Sequence, residues 1–268
     1  MKKTIILLSF CSMFFACAKD KTTNSSGIIA PSTVATIAPE SFLTYIKSKI
    51  TQDPDAMVSV YSTTMSRFLP TPQVQITASI NSQLGDGKSI KQISLGDIDL
   101  PRLFDSVNTK TFFQATFNDK RIFGQKDKFN FLTDFFDLKS EFQLPELVKI
   151  QVANQSYPEE ISKSKGFHLY WNKDENNGLP VQITLEYNEF TSRAMNPDLP
   201  KKEIRFSKFV SDSGEYILNP ADLFDFPSGG QAIISVTRGS FSVLNNNNKN
   251  ILIYSLLKDT HPSYSFVD

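Results

Sequence analysis

The chain carries two histidines, His168 and His261. A Ser-His-Asp relay would need one of them as a base oriented by an acid. His168 alternates with Phe167 and Leu169, which places it on the polar side of a strand, next to Tyr170. His261 precedes Pro262 in a stretch that reads as a loop. The sequence has no G-x-S-x-G nucleophile elbow and no H-E-x-x-H zinc pair. Carboxylates are the other source of chemistry, because glycoside hydrolysis needs only two acids at the right separation. Asp97 with Asp99, Glu159 with Glu160, and Asp222 with Asp225 are neighbours of this kind. In a chain with 28 acidic residues such neighbours arise by chance, and a solvated surface accounts for them.

Asn172, Asp174 and Asn176 imitate the first three ligands of a calcium loop. The glycine comes one place late, at Gly178, and Ile183 stands at the twelfth position, where a glutamate is required. The segment therefore reads as a polar turn. Phosphate-cradling glycine patterns are absent. The expectation is a non-enzymatic chain with no cofactor and no metal, in which Asn172, Asp174 and Asn176 contact a ligand from an exposed loop. Asn245–Asn248 is a second candidate loop. With 28 basic against 28 acidic residues, nothing favours nucleic acid as a partner.

Cysteine use narrows the chemistry further. Lys2 and Lys3 precede an apolar run from Ile5 to Phe15, too short to span a bilayer, followed by Ala16-Cys17. A small residue before a cysteine at that point resembles the lipobox of bacterial lipoproteins. That resemblance implies cleavage before Cys17, with residues 1–16 a signal peptide, and lipid attached to the Cys17 thiol. Cys11, the other cysteine, follows bulky Phe10 and would leave with the leader. The processed chain would then have no thiol free for a disulfide, a zinc site or a nucleophile. Several acyl chains on one residue would hold it on a membrane. The expected location is the cell envelope, at the outer membrane or the cell surface. Residues 17–38, rich in Thr, Ser and Ala, read as the lipidated N-terminus and a flexible tether. Lys19-Asp20 resembles the export signal of Bacteroidetes surface lipoproteins, and a plain solvated linker is the other reading.

The remainder must supply the scaffold. Residues 39–69 read as short helices. Phe42, Tyr45 and Ile46 share one helical face, and Asp53-Pro54-Asp55 looks like a helix start leading to Met57, Tyr61, Met65 and Phe68. From Gln73 the period becomes two, and residues 70–144 read as a β-rich domain with turns at Gly85-Asp86-Gly87 and Asn118-Asp119. Residues 145–268 hold seven strand-like runs separated by turn signals, the pattern of a β-sandwich. The pair Phe167–Trp171 and Val181–Tyr187 resembles the core hairpin of immunoglobulin-like domains, with Trp171 as the central tryptophan and no cysteine pair. The expected fold is thus mainly β: an Ig-like β-sandwich preceded by a smaller β-rich region and short N-terminal helices. The expected function is an envelope lipoprotein that binds a glycan or protein or acts as a scaffold. The alternatives are a surface glycan hydrolase using a carboxylate pair and a subunit of an envelope assembly.

Overall fold

The computed structural model describes residues 41–65, 69–80, 90–105, 110–117, 121–134, 137–151, 159–246 and 248–268. The leader, Cys17, the tether, Phe68 and the turns expected at 85–87 and 118–119 lie outside the described residues. The chain divides into Met1–Ile37 and Ala38–Asp268, and the described residues all belong to the second unit.

Ser41 opens the first helix, α1 (Phe42–Lys47), its Oγ accepting from the Thr44 amide at 3.2 Å. Strands β1 (Ala56–Met65) and β2 (Leu69–Ile80) follow as an antiparallel pair. Next come β3 (Ile90–Leu95), β4 (Ile98–Asp99), β5 (Arg102–Asp105), β6 (Lys110–Phe117), β7 (Lys126–Thr133) and β8 (Asp137–Gln143). The second half holds β9 (Ile150–Gln151), β10 (Glu159–Ser162), β11 (Phe167–Trp171), β12 (Val181–Tyr187), α2 (Glu189–Met195), β13 (Arg205–Val210), β14 (Glu215–Leu218) and α3 (Pro220–Leu223). Two long strands, β15 (Gln231–Asn246) and β16 (Lys249–Val267), end the chain.

The protein is mainly β and builds three sheets. The largest runs β13-β12-β15-β16-β1-β2-β6-β5, with β10 pairing the end of β16. The smaller ones are β14-β11-β9 and β4-β3-β7-β8. Register places Val58, Val60, Val74, Ile76, Ile251 and Ile253 on one face of the large sheet. Val181, Ile183, Leu185, Ile234 and Val236 lie farther along that same face. Two cores form there. The four-stranded sheet covers the first with Ile93, Leu95, Phe129, Phe131 and Leu138. The three-stranded sheet covers the second with Ile150, Leu169, Trp171 and Leu218. Helix α1 covers the opposite face, where Phe42 and Ile46 meet Leu252 and Tyr254.

Two expectations change. The segment expected to continue as a helix after Pro54 is strand β1. Met57, Tyr61 and Met65 recur every fourth residue, which satisfies a period of two as well as a helical one. Val58 and Val60 between them are buried on the other face, so both sides of the strand are covered, and β-branched residues suit that setting. The boundary at 144/145 does not separate two units, because β1, β2, β5 and β6 share a sheet with β12, β13, β15 and β16. It marks a change of core instead. Leu144 belongs to the first core and Val148 to the second.

Gly239 shows how closely α1 sits on the sheet. A Cβ there would lie 2.7 Å from the Phe42 ring and 2.7 Å from the Ser255 carbonyl oxygen. Gly239→Ala is expected to destabilise the fold by about 1–3 kcal/mol through overpacking. Denaturant unfolding of the two proteins checks this, and an unchanged midpoint would contradict the docking of α1.

Candidate binding cleft along the open edge of strand β15

Between the two cores the shared face of the large sheet turns polar. Arg238 follows Ile234 and Val236 on that face and is fully buried. Its guanidinium meets Asp212 through two bonds, Nε to Oδ2 at 2.7 Å and an Nη to Oδ1 at 2.9 Å. It also donates to the carbonyls of Glu146 and Asn172. Asp212 accepts in addition from Trp171 Nε1 at 2.9 Å and Asn177 Nδ2 at 3.0 Å. Four donors therefore converge on one carboxylate, the condition under which a buried charge is tolerated. Burial pushes the Asp212 carboxyl up, but bonds from Arg238, Asn177 and Trp171 and the Arg238 charge hold it below the ordinary range.

Asp259, on the same face, bonds the Ile150 amide at 2.7 Å and the Thr64 hydroxyl at 2.6 Å. Ser240 Oγ donates to the Gln143 carbonyl at 2.8 Å and pairs with Ser255 Oγ at 2.9 Å. This polar belt ties β8 and the 144–150 segment down onto β15 and β16.

The belt also marks where β15 loses a neighbour. The last pair between β12 and β15 is Gln182 with Thr237, whereas β15 runs on to Asn246. Beyond Thr237 its outer edge has no ladder partner among the described residues. From Arg238 to Asn245 that edge extends about 23 Å at roughly 3.3 Å per residue. The direction of its backbone groups follows from the register. Asn250 donates its N–H to Asp55 Oδ2 at 2.8 Å and accepts the Asp55 amide at 2.8 Å, so both groups face away from β15. Its partner Asn245 must likewise face away from β16, and alternation extends this to Val243 and Phe241.

A cavity flanks the edge on each face. One of about 510 Å³ is lined by residues that include Lys126, Glu141, Phe142, Ser240, Phe241 and Ser242. One of about 380 Å³ lies on the α1 side, lined by Ile50, Thr51, Gln52, Phe241, Val243 and Asn245. The first wall is β8, pinned at Gln143. The second is the segment after α1, pinned where Asn250 Nδ2 donates to Gln52 Oε1 at 2.8 Å and where Lys249 meets Asp55 at 3.1 Å. Burial pushes the Asp55 carboxyl up, while the Asn250 amide and Lys249 bring it below its usual value.

The residues singled out from sequence have other roles. Asn172 accepts from the Lys149 amide at 2.6 Å and donates to the Leu147 carbonyl at 3.0 Å. Asp174 is buried, and its two oxygens accept from the amides of Glu146 and Asn176 at 2.8 and 2.9 Å. Both polar side chains thus brace the chain beside the Arg238 pair, and Asn176 is the exposed member. The two expected loops are far apart along β15, since Asn172 bonds Arg238 whereas Asn245 and Asn246 are strand residues near the hairpin tip.

His168 is exposed, with Nε2 3.0 Å from Glu215 Oε2 and Nδ1 2.7 Å from the Tyr170 hydroxyl. His261 is not in a loop. It is buried in β16 against Tyr264, where the Ile234 register draws it into the sheet. Among the acid neighbours, Asp222 caps α3 and Glu159 is buried beside Tyr264 in the register. None of the six acids lines either cavity. The Arg238 pair did leave a signal in the sequence: an arginine at the parity of Ile234 and Val236, which face the core.

No protein-family model matches the chain. No curated protein matches it.

Asp212→Ala leaves Arg238 buried without its counter-charge, and a loss of about 3–5 kcal/mol is expected. The double variant Asp212→Leu/Arg238→Met should cost less than Asp212→Ala alone. Because the folded carboxyl titrates below its unfolded value, near 3.9, the pair's stabilisation is complete above that pH. It is lost as pH falls through the folded value. Unfolding curves of wild type and Asp212→Ala should therefore converge in acid, and a pH-independent gap would contradict the assignment.

Proposed function

We propose that this chain is a lipid-anchored, non-enzymatic binding module of the cell envelope, held at the outer membrane or cell surface through Cys17. The single observation that carries the binding role is the walled edge of β15, unpartnered among the described residues, with a cavity on each face. A long open strand edge is a hazard that soluble proteins blunt with charge, proline or cover. Residues Gly239–Asn246 contain no charge and no proline. Retaining such an edge between two walls fits a surface kept for a ligand. The lipobox-like Ala16-Cys17 and the Thr- and Ser-rich stretch after it support the anchor.

In this reading the three-stranded sheet and the β13-β12-β15-β16 part of the large sheet are layered as a β-sandwich, Ig-like in its packing around Trp171. The likeness stops at layering. β11 pairs with β14 and β9, and β12 pairs with β13 and β15, so the two runs expected to form a hairpin belong to different sheets.

The anchor is tested by feeding cells an alkyne fatty acid. The wild-type chain is expected to be labelled and to sediment with membranes, and Cys17→Ser to be unlabelled and released. Equal labelling of both would sink the anchor.

A further inference from the structure

The chemistry of the cleft names its occupant. A row of outward N–H and C=O groups at Phe241, Val243 and Asn245 is complementary to one thing above all, another extended backbone. Antiparallel geometry repeats those groups every second residue, a spacing that a sugar or a helix does not reproduce. Side chains of β15 alternate across the sheet. Ser240 and Ser242 line one cavity, Val243 and Asn245 line the other, and Phe241 borders both. A strand laid beside β15 would alternate in the same way, sending successive side chains to opposite faces.

The cavities are large enough for this. An enclosed space of about 150 Å³ admits a benzene ring, so about 510 and 380 Å³ each exceed the need of one side chain. Both linings mix polar and apolar side chains: Lys126, Glu141 and serines with Phe142 and Phe241 on the β8 side, and Lys49 and Asn245 with Ile50, Phe241 and Val243 on the α1 side. The walls also limit what can enter, because β8 touches β15 at Gln143–Ser240 and the 49–52 segment borders the other face. A lone extended segment fits between them. The edge of a second folded copy would bring its own covering layers against both walls.

We propose that the open edge of β15 captures an extended segment of a partner polypeptide as an added strand. Successive side chains of that segment enter the two cavities in turn. The proposal rests on the binding-module reading and specifies its ligand class.

A phage library of random dodecapeptides panned on the intact chain tests it. Enriched peptides are expected to share a side-chain pattern that repeats every second residue. A synthetic copy of the best binder should lose less affinity to Val243→Ala, which trims the cavity lining but keeps the outward N–H, than to Val243→Pro. Val243→Pro removes one outward N–H and leaves the ladder to β16 intact, and should weaken binding by about tenfold or more. A scan of single N-methyl groups along the peptide does not depend on how any variant folds. It should weaken binding at every second position only. A binder insensitive to Val243→Pro and to the scan would overturn strand addition while leaving a binding module that uses another surface. Self-association of the chain through this edge, with no peptide enriched, would overturn it in favour of a second copy. No enrichment and no self-association would remove strand addition as well, and the Cys17 labelling result would still decide the anchor independently.

Discussion

Arg238 is a fully buried cation in the middle of the long strand β15, and the fold around it is organised to satisfy it. Its guanidinium reaches a carboxylate from the 211–214 turn and carbonyls from residues 146 and 172, segments that are remote from it in the chain. Asp212 in turn accepts from Trp171 and Asn177, so the pair pins three connections to one strand. Leaving the charge unpaired in such a place costs about 3–5 kcal/mol, a large share of a fold's net stability. The bonds therefore support one another. What they fix is the joint between two hydrophobic cores that lie side by side on one sheet.

That joint explains the shape of the cleft. On one side of Arg238 the strand is flanked by β12 and covered by the three-stranded sheet. On the other side β12 has ended, and the four-stranded sheet takes over as cover without pairing to β15. The edge is open because the change of covering layer and the end of β12 fall at the same place. Ser240, two residues farther on, holds β8 against β15 at one point through the Gln143 carbonyl. On the far face, Asp55 and Gln52 hold the wall after α1 to the start of β16. Both walls are thus fixed by bonds to the same hairpin whose edge they border.

Much of the fold was legible where periodicity and punctuation agreed. Phe167–Trp171 and Val181–Tyr187 are strands with the bounds read from sequence, since each alternates cleanly and ends at turn residues. Local pattern could not tell which strands pair, and β11 and β12 joined different sheets for reasons set by the layers above them. Strand β1 misled because, covered on both faces, it carries apolar residues on each, and Met57, Tyr61 and Met65 around Val58 and Val60 mimic a helical stripe. The length of β15 was hidden by Gly239-Ser240-Phe241-Ser242, whose small polar residues interrupt the apolar alternation yet face a partner strand on one edge and a cleft on the other. Asn172 and Asp174 were visible as polar residues at a strand end. Their use as braces depends on residues 146–149, which only the folded chain brings to them.

The most direct test is residue-resolved amide hydrogen exchange on the free protein along Ser240–Asn246. Ser242 and Leu244 face β16 and should exchange slowly, whereas Phe241, Val243 and Asn245 face the cleft and should exchange fast. Uniform protection across these residues would mean that the edge is already covered, and would contradict a cleft open to a ligand.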